Sequence, residues 1–334
     1  ASLLLMGPML ARVGEVRVGK PGGDYIGRRP VDTHFLALEA LGATAVIDRS
    51  AYYLKTKVLH GADIFLNEAS VTGTENAIMA AVLAEGETVI CNAACEPHVQ
   101  ELCLFLNGLG ANISGIGSNQ LHIEGVTRLH GGEHTIESDH IEVGSYIGLA
   151  AVTGGELLIR NAAPQHLRMI NLVFRRLGVM VEVRGEDLFV PGGQELRVQN
   201  DLRGDIPYID DAPWPGFPAD LMSIALTMAT QASGTLIMFE KMFDGRLFFV
   251  DKLNGMGARI ILCDPHRAVI IGPSRLHGEE LSSPDIRAGM AILLAALAAD
   301  GVSVIRNVQQ IDRGYERIEQ RLQALGARIE RVAD

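Results

Sequence analysis

The densest group of reactive side chains lies in a glycine-rich segment near the start of the chain. It reads Pro21-Gly22-Gly23-Asp24-Tyr25-Ile26-Gly27-Arg28-Arg29-Pro30-Val31-Asp32-Thr33-His34. Glycines let the backbone approach a ligand closely, and the two arginines offer forked donors that match a phosphate or a carboxylate. Asp24 adds a carboxyl that can give or take a proton. The segment predicts a loop that binds an anion, although an acidic turn residue and surface salt bridges are the simpler alternative.

A second candidate is the hydroxyl-rich turn from Ser70 to Asn76. We expect Thr72 or Thr74 to cap a helix over 77–84, because hydroxyl oxygens accept hydrogen bonds from the first N–H groups of a helix. The same helix start is a natural site for an anion. Capping and binding are compatible, so this motif alone decides little.

Three other segments place an aspartate near a predicted helix start. Asp220 follows the proline-rich stretch Gly216 to Pro218, Asp285 stands two residues before Arg287, and Asp312 stands directly before Arg313. Acids are favoured at helix starts by the helix dipole, so caps and ion pairs explain these patterns without any catalytic role. The glycine and tyrosine that follow Arg313 favour an arginine held in a defined position.

The sequence favours no metal ion and no cofactor. His130 to His134 matches the pattern H-x-x-E-H, but that zinc site needs both histidines on one helical face, and a Gly-Gly pair disfavours a helix there. The cysteine spacings do not form the usual zinc pairs. We expect these residues to be small, buried and apolar: Cys91, Cys95, Cys103 and Cys263.

Composition sets the wider limits. The 334 residues predict two domains, and the net charge of −11 disfavours nucleic acid and anionic membranes as partners. The chain has no apolar run of 18 residues, and its longest candidate, 288–299, reads as a buried helix. No partner protein is indicated, and a cytoplasmic protein is expected.

The chain contains an internal repeat. A predicted helix ends in Leu-Gly-Ala or a close variant, and a strand follows, with glycines at positions 42, 110, 178, 257 and 326. Glycine suits this place because it takes the left-handed conformation that ends a helix. The spacings of 68, 68, 79 and 69 residues indicate α/β units of about 70 residues.

The repeat also suggests how the domains are divided. A boundary near Asp139 gives a first domain over 1–138, with two of three units, and a second domain over 139–334, with three. By this count one unit is missing at the front, and the first residue, Ala1, agrees with that interpretation. We therefore expect this chain to be a fragment of a longer protein.

Taken together, these motifs resemble those of the enolpyruvyl transferases. The family's catalytic loop reads P-G-G-C-x-I-G-x-R-P-V-D-x-H, and residues 21–34 match it except that Asp24 replaces the cysteine. Residues 311–319 repeat the family's closing motif, I-D-R-G-Y-E-R-I-E, without a change. Residues 92–97 resemble N-A-A-R-E-P, and 217–220 resemble F-P-T-D. The resemblance extends over the whole chain.

The resemblance implies an inside-out α/β barrel fold, with helices inside, sheets outside and ligands between two domains. It implies that the 3-hydroxyl of UDP-N-acetylglucosamine adds to C2 of phosphoenolpyruvate while C3 gains a proton, and that phosphate then leaves. This is the first committed step of peptidoglycan synthesis. The segment 29–32 and the closing motif favour this reaction over the sister reaction that makes enolpyruvylshikimate 3-phosphate.

The resemblance also implies roles for individual residues. Asp24 is expected to be the acid toward C3, and Asp220 the base that takes the hydroxyl proton. Arg29 and Arg313 are expected to hold the charges of phosphoenolpyruvate, while Asp285 and Arg287 support the site. The residues expected to line the UDP-sugar are Arg29, Pro30, Val31, Asp32, Thr33, Ser70, Val71 and Met242.

Three departures from the family pattern matter. Asp24 cannot be alkylated as a thiolate can, so resistance to fosfomycin, which binds the family's cysteine covalently, is expected. Glu68 occupies a place where the family often has a lysine beside the nucleotide, and we do not expect it to contact the ligand. The amino-terminal K-x-G-x-K-N segment is absent, so little or no turnover is expected. A non-catalytic UDP-sugar-binding paralogue is therefore an alternative, and a repeat scaffold is a weaker one.

Overall fold

The computed structural model describes residues 2–20, 22–24, 26–28 and 30–332, and the chain forms two compact units. The first contains Ala1–Gly23, Arg29–Glu137 and Pro213–Pro215. The second contains Asp24–Arg28, Ser138–Ala212 and Gly216–Asp334. The loop segment with Asp24 therefore belongs to the second unit, although it lies within the predicted first domain. Within the described ranges, no helix has the length and apolar character needed to cross a membrane.

In the part that the structure describes, the first unit combines four helices with two sheets of short strands. The helices are α1 (Met6–Val13), α2 (Asp32–Ala40), α3 (Val71–Ala81) and α4 (Pro97–Gly108), with a 3-10 turn over Ser2–Leu5. The strands are β1 (Glu15–Gly19), β2 (Thr44–Ile47), β3 (Ala51–Lys55), β4 (Asp63–Phe65), β5 (Glu87–Cys91), β6 (Asn112–Ser114) and β7 (Gln120–Glu124). The sheet orders are β1-β3-β2 and β4-β5-β7-β6, and β4 pairs with β5 in parallel.

The second unit extends the same pattern. Its helices are α5 (His140–Thr153), α6 (Arg168–Arg176), α7 (Met222–Gln231), α8 (Val250–Gly255), α9 (Ile286–Ala298), α10 (Gln309–Asp312) and α11 (Ile318–Ala324). The 3-10 turns are Pro164–His166, Leu202–Gly204 and Ala219–Leu221. The strands are β8 (Leu157–Ile159), β9 (Glu182–Arg184), β10 (Asp187–Val190), β11 (Tyr208–Asp210), β12 (Gly234–Phe239), β13 (Ile260–Asp264), β14 (Arg267–Gly272), β15 (Glu280–Ser282) and β16 (Val304–Arg306). The sheet orders are β8-β10-β9, β11-β12-β14-β13 and β15-β16.

The order of elements recurs along the chain. The series helix, strand, helix, two strands appears as α1-β1-α2-β2-β3 and again as α3-β5-α4-β6-β7, α5-β8-α6-β9-β10 and α7-β12-α8-β13-β14. The predicted glycines have φ of 99°, 98°, 89°, 101° and 95° at positions 42, 110, 178, 257 and 326. The left-handed helix ends are therefore confirmed. After the last of these glycines, the residues described up to Val332 form no strand.

The core of the second unit is made by helices that are buried on nearly every side. Helices α5, α7 and α9 contact one another, and almost all of their residues are buried. The strands instead bury one face, as the alternating pattern of β14 illustrates. Helices inside and sheets outside are thus present in this unit. The apolar run at 288–299 forms most of α9 and ends at its C-cap, Ala299, so the predicted helix is present.

One helix start differs from the sequence prediction. Helix α3 begins at Val71 rather than near residue 77, and its N-cap is Ser70, whose Oγ accepts the N–H of Gly73 at 3.2 Å. The prediction of Thr72 or Thr74 as the cap was wrong. Thr74 is wholly buried and accepts the N–H of Ala94 at 3.0 Å instead, so tertiary contacts outweigh the low helix propensity of this segment.

Candidate active site

Asp220 lies in the 3-10 turn before α7 and is held by two arginines. Its Oδ1 accepts a hydrogen bond from Arg246 at 2.9 Å, and its Oδ2 accepts one from Arg287 at 2.9 Å. Burial disfavours the charged carboxylate, but Arg287 and Arg246 together outweigh it and hold the pKa of Asp220 below its usual value. The side chain is still 37% exposed. Asp220 is therefore an ionised carboxylate that a solute can reach.

Asp285 fixes the start of α9 and with it Arg287. The Asp285 carboxylate accepts the backbone N–H groups of Arg287 at 2.8 Å and Ala288 at 2.9 Å. The guanidinium of Arg287 also donates to the hydroxyl of Tyr315 at 3.3 Å and lies 5.6 Å from the centre of its ring. The predicted helix cap is confirmed here. The cap directs Arg287 towards Asp220.

Arg313 follows α10 and forms an ion pair with Asp24. The loop segment that carries Asp24 is tied to the same unit by a hydrogen bond from the N–H of Gly245 to the carbonyl of Ile26, at 2.9 Å. The Asp24 side chain is 13% exposed, and that of Arg313 is 45% exposed. The structure thus brings together the predicted acid, Asp24, and an arginine that is predicted to bind phosphoenolpyruvate, although the two residues are far apart in sequence.

The Gly-Tyr pair after Arg313 explains how this arginine is positioned. A Cβ at Gly314 would lie 2.5 Å from Cγ2 of Ile286, so only glycine permits the observed approach to α9. The Tyr315 side chain is wholly buried, and its hydroxyl forms a 2.8 Å hydrogen bond with Ser145 on α5. Arg313 is therefore anchored beside the start of α9.

Met242 is exposed at the surface of the second unit. Its backbone N–H donates to Oε1 of Glu240 at 3.1 Å. The buried Glu240 carboxyl therefore holds the turn that carries this side chain.

The predicted sugar-binding residues of the first unit surround the starts of α2 and α3. Thr33 is buried, and its hydroxyl lies 2.8 Å from Oδ1 of Asn67 and 3.3 Å from Oε1 of Glu68. Glu68 is exposed and occupied with this local contact. Ser70 caps α3, and the remaining residues are exposed or half-buried: Pro30, Val31, Asp32 and Val71. Arg29 lies outside the described residues.

The sequence reasoning missed a buried polar group behind these residues. The ring of His34 lies 2.8 Å from the amide nitrogen of Asn76 and 3.1 Å from the hydroxyl of Thr72. Burial lowers the pKa of His34 to about 4, so the ring is neutral. Asn76 also accepts the N–H of Gly7 at 2.7 Å and donates to the carbonyl of Leu3 at 2.8 Å. Asn76 therefore connects the starts of α1, α2 and α3.

Arg246 was also missed. It lies 26 positions after Asp220 and carries no motif, so no local signal identifies it. The arginine is only 4% exposed and is directed at Asp220 through packing on Phe243, with its guanidinium carbon 4.8 Å from the ring centre.

The segment with the H-x-x-E-H pattern is not helical. His130 and His134 lie in an irregular stretch, and His134 contacts Glu101 at 3.1 Å. No cluster of three or more His, Cys, Asp or Glu side chains suited to a metal occurs in the part of the chain that the structure describes. The cysteines differ from the expectation: Cys103 is buried, Cys91 and Cys95 are half-buried, and Cys263 is exposed.

Comparisons with known proteins identify the family. A model described as EPSP synthase (3-phosphoshikimate 1-carboxyvinyltransferase) matches residues 1–322. Two curated relatives named UDP-N-acetylglucosamine 1-carboxyvinyltransferase are each 59% identical. The relative from Treponema denticola matches 99% of this chain and 77% of its own length, and that from Bradyrhizobium diazoefficiens matches 100% and 77%. This chain belongs to the UDP-N-acetylglucosamine 1-carboxyvinyltransferase family.

A solved structure shows the same fold. The enolpyruvyl transferase NikO from Streptomyces tendae superposes with a TM-score of 0.84 over 98% of this chain and 76% of its own, at 23% sequence identity. The recurring α/β series described above is therefore the enolpyruvyl transferase fold, and the expected fold class is confirmed.

Proposed function

We propose that this chain transfers the enolpyruvyl group of phosphoenolpyruvate to the 3-hydroxyl of UDP-N-acetylglucosamine and releases phosphate. The observation that carries the proposal is the 59% identity, over nearly the whole chain, to curated enzymes with that name. The geometry supports it, because one carboxyl is held ionised between two arginines and a second carboxyl lies on a glycine-rich loop.

Asp220 is proposed as the base. In the addition step the sugar oxygen forms a bond to C2 of phosphoenolpyruvate while its proton passes to a base, and C3 gains a proton. Two arginines keep the Asp220 carboxylate ionised, which is the form that accepts a proton. A carboxylate with a low pKa is a weak base, so proton transfer must accompany formation of the new C–O bond.

Asp24 is proposed as the acid toward C3. In the structure its carboxylate is paired with Arg313. The anionic groups of phosphoenolpyruvate are proposed to bind Arg313 in its place, which releases the Asp24 carboxyl to give a proton to C3. In the elimination step C3 returns a proton and the C2–O bond to phosphate breaks.

The remaining site residues are proposed to bind or position the two substrates. Arg313, together with Arg29, holds the charges of phosphoenolpyruvate, and Asp285 positions Arg287 against Asp220. The role of Arg29 stays a prediction from the sequence. The UDP-sugar is proposed to contact Arg29, Pro30, Val31, Asp32, Thr33, Ser70, Val71 and Met242. Phosphoenolpyruvate and a nucleotide sugar are both intracellular metabolites, and we propose that the protein acts in the cytoplasm.

The test measures phosphate release from phosphoenolpyruvate with two acceptors in parallel, UDP-N-acetylglucosamine and shikimate 3-phosphate. In a full-length enzyme that bears these residues, the proposal expects release with the UDP-sugar, and a loss of about 10²–10⁴-fold in kcat for Asp220→Asn. Asp300→Asn is the matched control, because Asp300 is an exposed aspartate paired with Arg275. Release with shikimate 3-phosphate alone would overturn the proposal.

Calorimetry with UDP-N-acetylglucosamine separates binding from turnover. Binding without release in a full-length enzyme that bears these residues would favour the non-catalytic paralogue, and absence of binding would remove the UDP-sugar from the proposal.

A further inference from the structure

Two wholly buried carboxyl groups lie behind the Asp220 site. Strands β11 and β12 run in parallel with Asp210 opposite Phe239. Asp211 and Glu240 therefore leave the two strands side by side, and both are 0% exposed. Neither carried a motif in the sequence, and the reaction proposed above does not use either directly.

The hydrogen bonds of this pair require a proton. Oε1 of Glu240 accepts the N–H groups of Met242 at 3.1 Å and Phe243 at 3.0 Å, and Oδ1 of Asp211 accepts the N–H of Lys241 at 2.5 Å. The second oxygen of each carboxyl is buried and finds no donor within the described ranges. The two carboxyls leave neighbouring parallel strands side by side and interact with each other, so one proton shared between them would satisfy both oxygens.

The surroundings favour the protonated form of Glu240. Burial, and then the neighbouring Asp211, raise the pKa of Glu240 to about 9. Two adjacent carboxyls sharing a site cannot both ionise readily, so at neutral pH the pair holds one negative charge rather than two.

Arg246 connects the pair to Asp220. One end of its guanidinium donates to Asp220 at 2.9 Å, while Nε lies 3.8 Å from Oε2 of Glu240. That Nε has no hydrogen-bond acceptor among the residues described. A neutral Glu240 leaves the arginine directed at Asp220, whereas an ionised Glu240 would compete for it.

We propose that Asp211 and Glu240 share one proton and act as a positioning pair that directs Arg246 onto Asp220. The inference rests on the proposed function, in which Asp220 is the base. The same pair fixes the turn that carries Met242, since Glu240 accepts two backbone N–H groups of that turn.

Other charged groups around Glu240 are already engaged. Lys241 forms an ion pair with Asp210. The His266 ring lies 2.8 Å from the carbonyl of Glu240 and 3.4 Å from Asp244. Asp211 and Arg246 are thus the charged groups that face the Glu240 carboxyl itself.

Infrared spectroscopy tests the shared proton without requiring turnover. Because burial and Glu96 raise the pKa of Glu75 to about 7, the acid form of Glu75 would absorb in the same region, and the comparison is made in a Glu75→Gln background. At pH 7 this protein is expected to show the C=O stretching band of a buried carboxylic acid, and the addition of Glu240→Gln is expected to remove it. Glu279→Gln, at an exposed glutamate, is the control and should leave the band in place. A band that persists after the addition of Glu240→Gln, or that is absent from the Glu75→Gln background itself, overturns the proposal.

The pH dependence of kcat/KM tests the positioning role. Gln keeps the neutral group and its hydrogen bonds, so Glu240→Gln should retain the acid limb of the unmodified enzyme. Glu240→Ala frees Arg246 to turn away, so its acid limb should move up by about one pH unit. Equal acid limbs in the Ala and Gln variants would overturn the inference. If the infrared band behaves as expected but Asp220→Asn leaves turnover unchanged, the proposed role of Asp220 as the base fails and the proton-sharing pair stands.

Discussion

At Asp220 the protein resolves a conflict between desolvation and charge pairing. Burial of a carboxylate raises its pKa, while each nearby arginine lowers it. Here the two arginines prevail, and the pKa lies below the usual value. The proposed base is therefore ionised over a wide pH range, and activity should be lost only in acid.

Removal of one arginine should narrow the pH range in which Asp220 is ionised. We predict that Arg246→Met raises the pKa of Asp220, because desolvation is then opposed by Arg287 alone. The acid limb of kcat/KM should move to higher pH by about one unit. Arg275→Met, at an exposed arginine paired with Asp300, is the control. An acid limb that stays in place or moves to lower pH would contradict this account.

Asp24 is predicted to determine the response to a covalent inhibitor. A thiolate is a strong nucleophile, and a carboxylate at the same place is not. We predict that fosfomycin causes no time-dependent inactivation of the enzyme with Asp24, and that Asp24→Cys becomes susceptible. The unmodified enzyme, which has no thiol at position 24 but keeps its four free cysteines, controls for reaction elsewhere. Irreversible loss of activity in the Asp24 enzyme would refute the prediction.

At the scale of elements, the start of α9 combines stability and function. The Asp285 carboxylate satisfies two N–H groups of the first helical turn, one of which belongs to Arg287. Since Arg287 binds Asp220 and Tyr315, a change at the cap is transmitted to the proposed base. The cap was recognisable in the sequence, whereas the contact of Arg287 with both Asp220 and Tyr315 was not.

Loss of this cap should lower both the stability of the protein and its activity. We predict that Asp285→Ala lowers the free energy of unfolding by about 1 kcal/mol and also reduces kcat, while Asp285→Asn retains most of both because Asn remains a good cap. Urea unfolding and phosphate release provide the two measurements. Equal stabilities for the Ala and Asn variants would show that the hydrogen bonds at the cap contribute little.

At the scale of the whole molecule, two buried groups of the first unit titrate in overlapping windows with opposite effects on stability. Burial lowers the pKa of His34 to about 4, so stability rises as the pH increases from about 4 to 6.5. Burial, and then Glu96, raise the pKa of Glu75 to about 7, so stability falls as the pH increases from about 4.5 to 7. The two effects largely offset each other.

Glu75→Gln should leave the pH dependence of stability that His34 causes without the opposing contribution of Glu75. The free energy of unfolding of this variant should rise by roughly 3 kcal/mol between pH 4 and 6.5, from 1.36 kcal/mol per pKa unit, while the unmodified chain changes much less. Trp214 is the single tryptophan and groups with the first unit, so its fluorescence follows unfolding of that unit in urea. Glu39→Gln, at an exposed glutamate on α2, is the control. Parallel pH profiles for Glu75→Gln and the unmodified chain would contradict the prediction.

Local chemistry in the sequence determined the features that depend on residues within one helical turn. The left-handed glycines that end helices and the cap at Asp285 are of this kind, because glycine backbone freedom and side-chain capping act over a few residues. The start of α3 was misplaced for the opposite reason. Its polar residues are stabilised by partners such as Ala94 and Leu3, which lie on other elements.

Only the tertiary structure decided which charges meet. Asp24 meets Arg313, Arg246 meets Asp220, and Asp211 lies beside Glu240. None of these pairs has a spacing that a helix or strand prescribes. Each depends on how the repeated α/β units pack, and on burial, which strengthens the interaction between charges by lowering the local dielectric. The sequence alone therefore determined the family and indicated the candidate site residues, while the fold decided which of their charges meet.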